Sequence, residues 1–167
     1  MSATIVLEAL AQAAFEPFGD VLESAGEPAR IINQGRCGRW HDLARLTFSD
    51  GRVGISLFRS EVRALPFELA MMERHHLGSQ AFVPMSFDPF VVVVAPDANG
   101  VPGRPRAFLS APGQGVNYHP GVWHGVLMPL HAPGLFAVID RIAVAEGESD
   151  DVEEHWFSKP WMIVEQP

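Results

Sequence analysis

The sequence predicts a mainly β protein, folded as a closed or nearly closed jelly-roll barrel with one or two short peripheral helices. Three observations predict it. Fourteen prolines and fifteen glycines punctuate the whole chain and cut it into short apolar runs, at spacings typical of antiparallel β structure. The run Val91-Val92-Val93-Val94 is β-branched throughout, which costs helix propensity and suits a strand buried on both faces. Many short strands in one chain need a closed architecture to protect their edges. At 167 residues the chain is the size of one domain around one core, and no linker or repeat divides residues 1–167.

Taken in order, Leu10 to Phe18 has a helical pattern, with Gly19 placed to end the helix in a left-handed turn. The stretch from Asn33 to Leu43, with Arg36, Arg39, Trp40, His41 and Asp42, is polar and reads as a loop that covers either a site or a partner subunit. Cys37 lies in it without an adjacent histidine to activate the thiol and reads as inert. Strands are expected over 52–59, 80–85, 90–95, 106–109, 115–118, 122–127 and 135–141. Pro84, Pro96, Pro105 and Pro120 then fall at strand ends or turns, where a missing N–H does little harm. The segment from Leu65 to His76 is open to two readings, because Pro66 suits a helix start and Gly78 a helix end. A strand is preferred, since its period of two puts Phe67, Leu69, Met71, Glu73 and His75 on one face. In a helix, residues two apart differ by roughly 200° about the axis, and Glu73 and His75 would part. The acidic run from Glu146 to Glu154 reads as a solvated turn that adds only charge, ahead of an apolar C-terminal segment.

Composition removes several function classes. A formal net charge of −8 repels nucleic-acid phosphates and anionic membrane surfaces, so neither is an expected partner. It does not exclude a small carboxylate ligand, because a few converging arginines outweigh a screened distant field. A single cysteine excludes an internal disulfide and fits a reducing compartment, here the cytoplasm. No stretch has the length of a membrane span; the apolar run from Phe90 to Ala95 is far too short.

Two segments concentrate the chemistry. In Glu73-Arg74-His75-His76-Leu77-Gly78-Ser79-Gln80, two polar residues on one strand face precede Gln80 on the next strand. In Asn117-Tyr118-His119-Pro120-Gly121-Val122-Trp123-His124, a Pro-Gly turn is flanked by two histidines. An imidazole and a carboxylate are good ligands for a divalent ion, whereas the Gln80 amide binds less firmly. From spacing alone, a metal site and an ordinary hydrogen-bonded Glu73–His75 pair have equal claims. His124 reads as functional; His119 either joins it or caps the turn through its backbone. Tyr118 and Trp123 are better suited to packing. Arg59 and Arg141 both close apolar strands and are candidates to hold a carboxylate. Only one of Asp140 and Arg141 can face the interior, because neighbours on a strand point to opposite faces.

These segments resemble the two cupin motifs, with Glu73, His75 and Gln80 in the places of the first and His124 in that of the second. The combination of Phe15-x-x-Phe18-Gly19-Asp20, His41-Asp42-Leu43, Glu73-Arg74-His75, Leu77 to Met85, Gly115-Val116-Asn117-Tyr118-His119, Trp123-His124 and Ile139-Asp140-Arg141 spans nearly the whole chain. It is similar to the ureidoglycolate lyase family, formerly called ureidoglycolate hydrolases. The resemblance implies a cupin-like β-barrel, commonly a homodimer, that splits (S)-ureidoglycolate into glyoxylate and urea in allantoin degradation. From the chemistry of that substrate, the catalytic candidates are His124 or Glu73 to take the hydroxyl proton, directly or through a metal, and His75 or His119 to protonate the departing urea, or the reverse. Arg59 or Arg141 would hold the carboxylate, Gln80 and Asn117 would hydrogen-bond the ureido group, and Tyr118 is a secondary candidate for substrate contact. A divalent metal (nickel, manganese or zinc) held by Glu73, His75 and His124 is left open. Two rival expectations stand beside this one: an amidohydrolase that releases ammonia and carbon dioxide, and a non-catalytic cupin that binds a small carboxylate.

Overall fold

The computed structural model describes residues 3–144 and 151–165. Along the chain run β1 (Thr4–Ala9), α1 (Gln12–Phe15), β2 (Gly19–Leu22), β3 (Arg30–Ile32), β4 (Cys37–Arg39), β5 (Arg52–Arg59), β6 (Phe67–Arg74) and β7 (Gln80–Pro84). There follow β8 (Phe90–Ala95), β9 (Arg106–Leu109), β10 (Gly115–Tyr118), β11 (Trp123–His124), β12 (Met128–Pro129), β13 (Leu135–Ile142) and β14 (Glu153–Val164). The β class is as expected, and β5, β8, β9 and β10 occupy the expected residues.

One sheet has the order β11-β6-β14-β1-β9-β8-β12, and β11 also pairs with β8. That extra pairing closes a ring of six strands, β11, β6, β14, β1, β9 and β8. A closed ring leaves no edge among its members for unwanted pairing. Its interior is apolar: Ile5, Leu7, Leu69, Met72, Val91, Val93, Ala95, Ala107, Trp123 and Ile163 belong to one buried cluster, to which every strand of the ring contributes. The second sheet, β2-β10-β7-β13-β5, packs on the outside of this ring. Between them lies the other core, where Val92, Val94 and Phe108 of the ring meet Phe82, Val116, Phe136 and Val138. Strand β8 therefore feeds both cores on alternate residues, which explains its unbroken valine run.

Four sequence expectations change. The helix is one turn, Gln12–Phe15, rather than 10–18. Its residues are held by Phe15, fully buried against Phe18, Phe108 and Tyr118, and the chain turns at once into β2. Gly19 does not cap the helix; it begins β2, opposite Tyr118, where a Cβ would meet the Asn117 carbonyl oxygen at 1.8 Å. The glycine is required by close approach of two backbones rather than by a left-handed turn. The 33–43 stretch is partly ordered, because β3 and β4 form an exposed hairpin through it. The 65–76 segment is a strand, yet its alternation slips: Leu69 and Met72, three apart, both enter the ring interior. The slip lies where β14 bulges against β6, its register jumping between Trp156 and Trp161.

Candidate active site

Residue parity on β11 sets the site outside the ring. Trp123 pairs with Ala95 and points inward with it, so His124, opposite Val94, points outward toward the second sheet. His124 also lies opposite Glu73 on β6, which brings the two chemistry-bearing segments together. The turn between them is built as expected. Gly121 has φ of 78°, Val122 N–H donates to the His119 carbonyl at 3.2 Å, and Gly121 N–H donates to the His75 carbonyl at 2.6 Å. That last bond ties β11 to the end of β6.

One ligand atom from each of Glu73, His75 and His124 lies within 4.8 Å of the others. The two imidazoles are presented alike. His75 Nδ1 faces the Asp151 carbonyl at 2.9 Å, and His124 Nδ1 faces the Gly125 carbonyl at 3.2 Å. A carbonyl only accepts, so in each neutral ring Nδ1 carries the proton and Nε2 holds the free lone pair. Both Nε2 atoms are buried and without a partner among the described residues. The rings stack, His75 on His124 at 5.4 Å and Tyr118 on the other face of this group at 4.5 Å from His124.

Electrostatics separate these groups. Burial, with a smaller contribution from His75, pushes the His124 imidazole down to about 3, so it is neutral at physiological pH: a good ligand and a poor proton acceptor. Burial raises the Glu73 carboxyl above its ordinary value, with His75 opposing and Glu154 adding to the rise. Glu73 is thus the stronger base of the two. The Tyr118 phenol is pushed well up by burial and by Glu73, which keeps it protonated.

A small cavity of ≈ 50 Å³ opens beside the cluster, lined by His75, Gly78, Ser79, Gln80, Asp140, Arg141 and Asp151. Gln80 is buried and donates from Nε2 to Asp140 Oδ2 at 3.2 Å. Alternation on β13 resolves the Asp140–Arg141 choice. Val138 faces the core, so Asp140 faces the interior and Arg141 the outer side, where its Nε pairs with Asp50. The acidic segment adds more than charge. Asp151 accepts the Leu77 N–H at 2.6 Å, and Glu153 bonds Arg74 at 2.8 Å and His76 at 2.7 Å. Residues 146–150 of that run lie outside the described residues.

Three expected site residues stand elsewhere. Asn117 and His119 lie on the outer side of β10, opposite in parity to Tyr118. Asn117 donates to Asp20 Oδ2 at 2.9 Å and to the Arg45 carbonyl at 3.1 Å, and His119 lies 3.3 Å from the same Asp20 oxygen. That network anchors the 45–48 segment. Arg59 pairs with Leu135 at the far end of β13 and is exposed; it does not line the cavity. Sequence reasoning assigned no role to Asp140 or Asp151. The period of two from Val138 was signal enough for Asp140; Asp151 had none, since its partners are His75 and Leu77.

The chain matches the family model described as ureidoglycolate lyase over residues 2–164. It is 52% identical over 160 residues to the ureidoglycolate lyase of Rhodobacter capsulatus, covering 95% of this chain and 97% of that one. It is 48% identical to ureidoglycolate lyase 2 of Rhizobium meliloti, covering 92% and 93%, and 47% identical to ureidoglycolate lyase of Brucella abortus, covering 93% and 90%. Among solved structures, a dTDP sugar isomerase from Desulfovibrio desulfuricans overlaps 65% of each chain at 21% identity, with a TM-score of 0.39.

Proposed function

Because the chain belongs to the ureidoglycolate lyase family, we propose that its Glu73, His75 and His124 cluster cleaves (S)-ureidoglycolate to glyoxylate and urea, as a step of allantoin degradation. The observation that carries this reading is the convergence of a carboxyl and two buried imidazole nitrogens without partners among the described residues, beside a small cavity that His75 lines. A non-catalytic binder has no need of so many titratable groups in one place. The shared description of the relatives as lyases disfavours an ammonia-releasing amidohydrolase.

The reaction moves one proton from oxygen to nitrogen. Glu73 takes the proton of the substrate hydroxyl while its oxygen becomes the aldehyde carbonyl of glyoxylate. The electron pair of the carbon–nitrogen bond leaves with urea, whose nitrogen takes a proton from Nε2 of a His75 that enters the step doubly protonated; the proton gained by Glu73 then returns to Nε2 of His75 and restores both groups. Tyr118 and Trp123 hold this geometry from either side of β11: Tyr118 stacks on His124 and Trp123 anchors the strand in the ring core. Of the two candidate arginines, Arg141 is among the residues that line the cavity and Arg59 is not; Arg141 is assigned to the carboxylate, a role for which its guanidinium turns in from Asp50 on the outer side of β13. His119 and Asn117 become supports for the 45–48 segment.

The same three side chains fit a divalent ion. Two unpartnered buried imidazole nitrogens and a carboxylate form a nitrogen–oxygen donor set that suits nickel, manganese or zinc. Such an ion, when bound, would act as a Lewis acid on a substrate oxygen. An imidazole that binds an ion through Nε2 has no proton to give, so chelation separates the two roles of His75. Purified protein given (S)-ureidoglycolate should release glyoxylate and urea in equal amounts. Loss of turnover on chelation, with recovery on adding a divalent ion, makes the three residues ligands; insensitivity makes them proton carriers. Ammonia in place of urea would overturn the lyase reading.

The assembly proposed is a homodimer through the outer face of the five-stranded sheet. On edge strand β5, Val53, Ile55 and Leu57 share one face and are 51%, 75% and 64% exposed. A contiguous apolar stripe of this kind is what a second copy would cover. The chain's single cysteine suits a reducing cytoplasm. Among the described residues no helix is long and apolar enough to cross a membrane.

A further inference from the structure

The cavity beside the cluster holds a feature that the cleavage step does not use. Asp140 enters it from β13 and Gln80 from β7, in a register where Ile139 lies opposite Ala81. Their one mutual bond, Gln80 Nε2 to Asp140 Oδ2 at 3.2 Å, consumes a donor and an acceptor. It also fixes the amide: a carboxylate takes the NH2 side, so the Gln80 oxygen is turned the other way. Two atoms are left over, Asp140 Oδ1 and Gln80 Oε1, both buried and neither with a partner among the described residues. Both are acceptors. Buried acceptors without donors cost free energy, and a pair of them in one cavity is matched by a ligand that brings N–H groups.

The ureido head of the substrate is such a ligand, with an internal N–H and a terminal NH2 that point the same way. The carboxylate and hydroxyl of the substrate cannot fill the role: the first has no proton to donate, and the second gives its proton to the base. The cavity, at ≈ 50 Å³, has room for about one small polar head group rather than the whole molecule.

Resting on the lyase reading, we infer that Asp140 is a substrate-recognition residue: its Oδ2 orients the Gln80 amide, and its Oδ1 accepts an N–H of the ureido head. Discrimination then follows from chemistry. A substrate that lacks the ureido N–H groups leaves two buried acceptors unmatched, and sites of that kind reject such analogues strongly.

The test uses unreactive probes, so that it does not depend on turnover. Hydantoate carries the ureido and carboxylate groups without the hydroxyl; glycolate carries the hydroxyl and carboxylate without the ureido group. Their dissociation constants are measured by calorimetry for wild type, Asp140→Asn and Asp140→Ala, together with that of nickel or manganese. Thermal unfolding is followed alongside to confirm that each variant folds. The expected result is hydantoate binding weakened by about 10–100-fold in both variants. Glycolate and metal binding should stay within about twofold of wild type. Unchanged hydantoate binding, or no hydantoate binding by wild type, overturns the proposal. So does equal weakening of hydantoate and glycolate, or of the metal, which would make Asp140 a general support of the site. A wild-type protein that binds hydantoate but releases no urea would refute the lyase reading while leaving the recognition role of Asp140 standing.

Discussion

Substitution of Gly19 tests how β2 joins the second sheet, and two replacements together discriminate between geometries. A Cβ at this position meets Asn117 O at 1.8 Å, Asn117 C at 2.9 Å and Phe15 Cε1 at 3.2 Å. The first two contacts are with backbone, so no side chain can swing aside, and β2 must retreat from β10 by more than an ångström. The retreat loosens the pairing of Gly19 with Tyr118 and of Asp20 with Asn117. It also draws Asp20 away from the Arg45 N–H that it accepts at 3.0 Å. Overpacking and the strained hydrogen bonds together make Gly19→Ala cost about 2–4 kcal/mol, a fall of about 5–15 °C in unfolding temperature for a chain of this size. Had Gly19 been a left-handed helix cap, Ala would cost about 1–2 kcal/mol, and Asn, which tolerates that conformation, less. The close approach predicts the reverse order, since Asn is larger: Gly19→Asn should be at least as destabilised as Gly19→Ala. Thermal unfolding of the three proteins decides it, and a Gly19→Asn protein more stable than Gly19→Ala would refute the reasoning.

Acidification should release the segment that carries Asp151. Arg74 first, and His76 with it, hold the Glu153 carboxyl down to about 2, well below its ordinary value of 4.5. A depressed carboxyl stabilises the fold above its unfolded value and loses that contribution as pH falls toward 2. Unfolding temperatures of wild type and Glu153→Gln should therefore differ above pH 4.5 and converge near pH 2. Added salt should narrow the difference, because Glu153 is 43% exposed. His124→Ala should lower turnover by about 10²–10⁴-fold. The hole it leaves between Tyr118 and His75 costs about 2–4 kcal/mol, which a protein of ordinary stability survives; urea release and thermal unfolding measured together check both. Ile55→Glu with Leu57→Glu should convert a dimer to monomer by sedimentation without lowering the unfolding temperature of the monomer, whereas a double variant that stays dimeric would remove the β5 face as the interface.

Local pattern made most strands of both sheets legible and left β1 and β14 of the ring hidden. Strands such as β8 and β10 are short, bounded by turn residues and rich in β-branched side chains, so their limits show in the sequence. Strands β1 and β14 escaped notice because their partners are remote: β1 pairs in parallel with β14 and β9, and no local signal encodes a parallel register. The helix was overextended because Leu10 and Phe18 are apolar for tertiary reasons, both lying in the core between the sheets, which imitates helical spacing. In the site, Glu73, His75 and His124 were legible because each segment carries its own spacing and one turn joins them. Asn117 and His119 face away from the cluster for a simple cause: they alternate with Tyr118, and once Tyr118 stacks on His124 its neighbours on the strand must face the other side. Arg59 closes an apolar strand as Arg141 does, but antiparallel pairing puts it at the opposite end of the sheet.

The measurement that bears most directly on the cluster is the turnover of Glu73→Gln. Glutamine keeps the shape of the side chain and removes both its charge and its basicity, so the stacked histidines should stay in place and the unfolding temperature should change little. With (S)-ureidoglycolate saturating, urea release by the variant should fall by about 10²–10⁴-fold relative to wild type. Release within about threefold of wild type, from a folded variant, would contradict the account, because a group that carries the hydroxyl proton or holds the ion cannot be replaced by an amide at so small a loss.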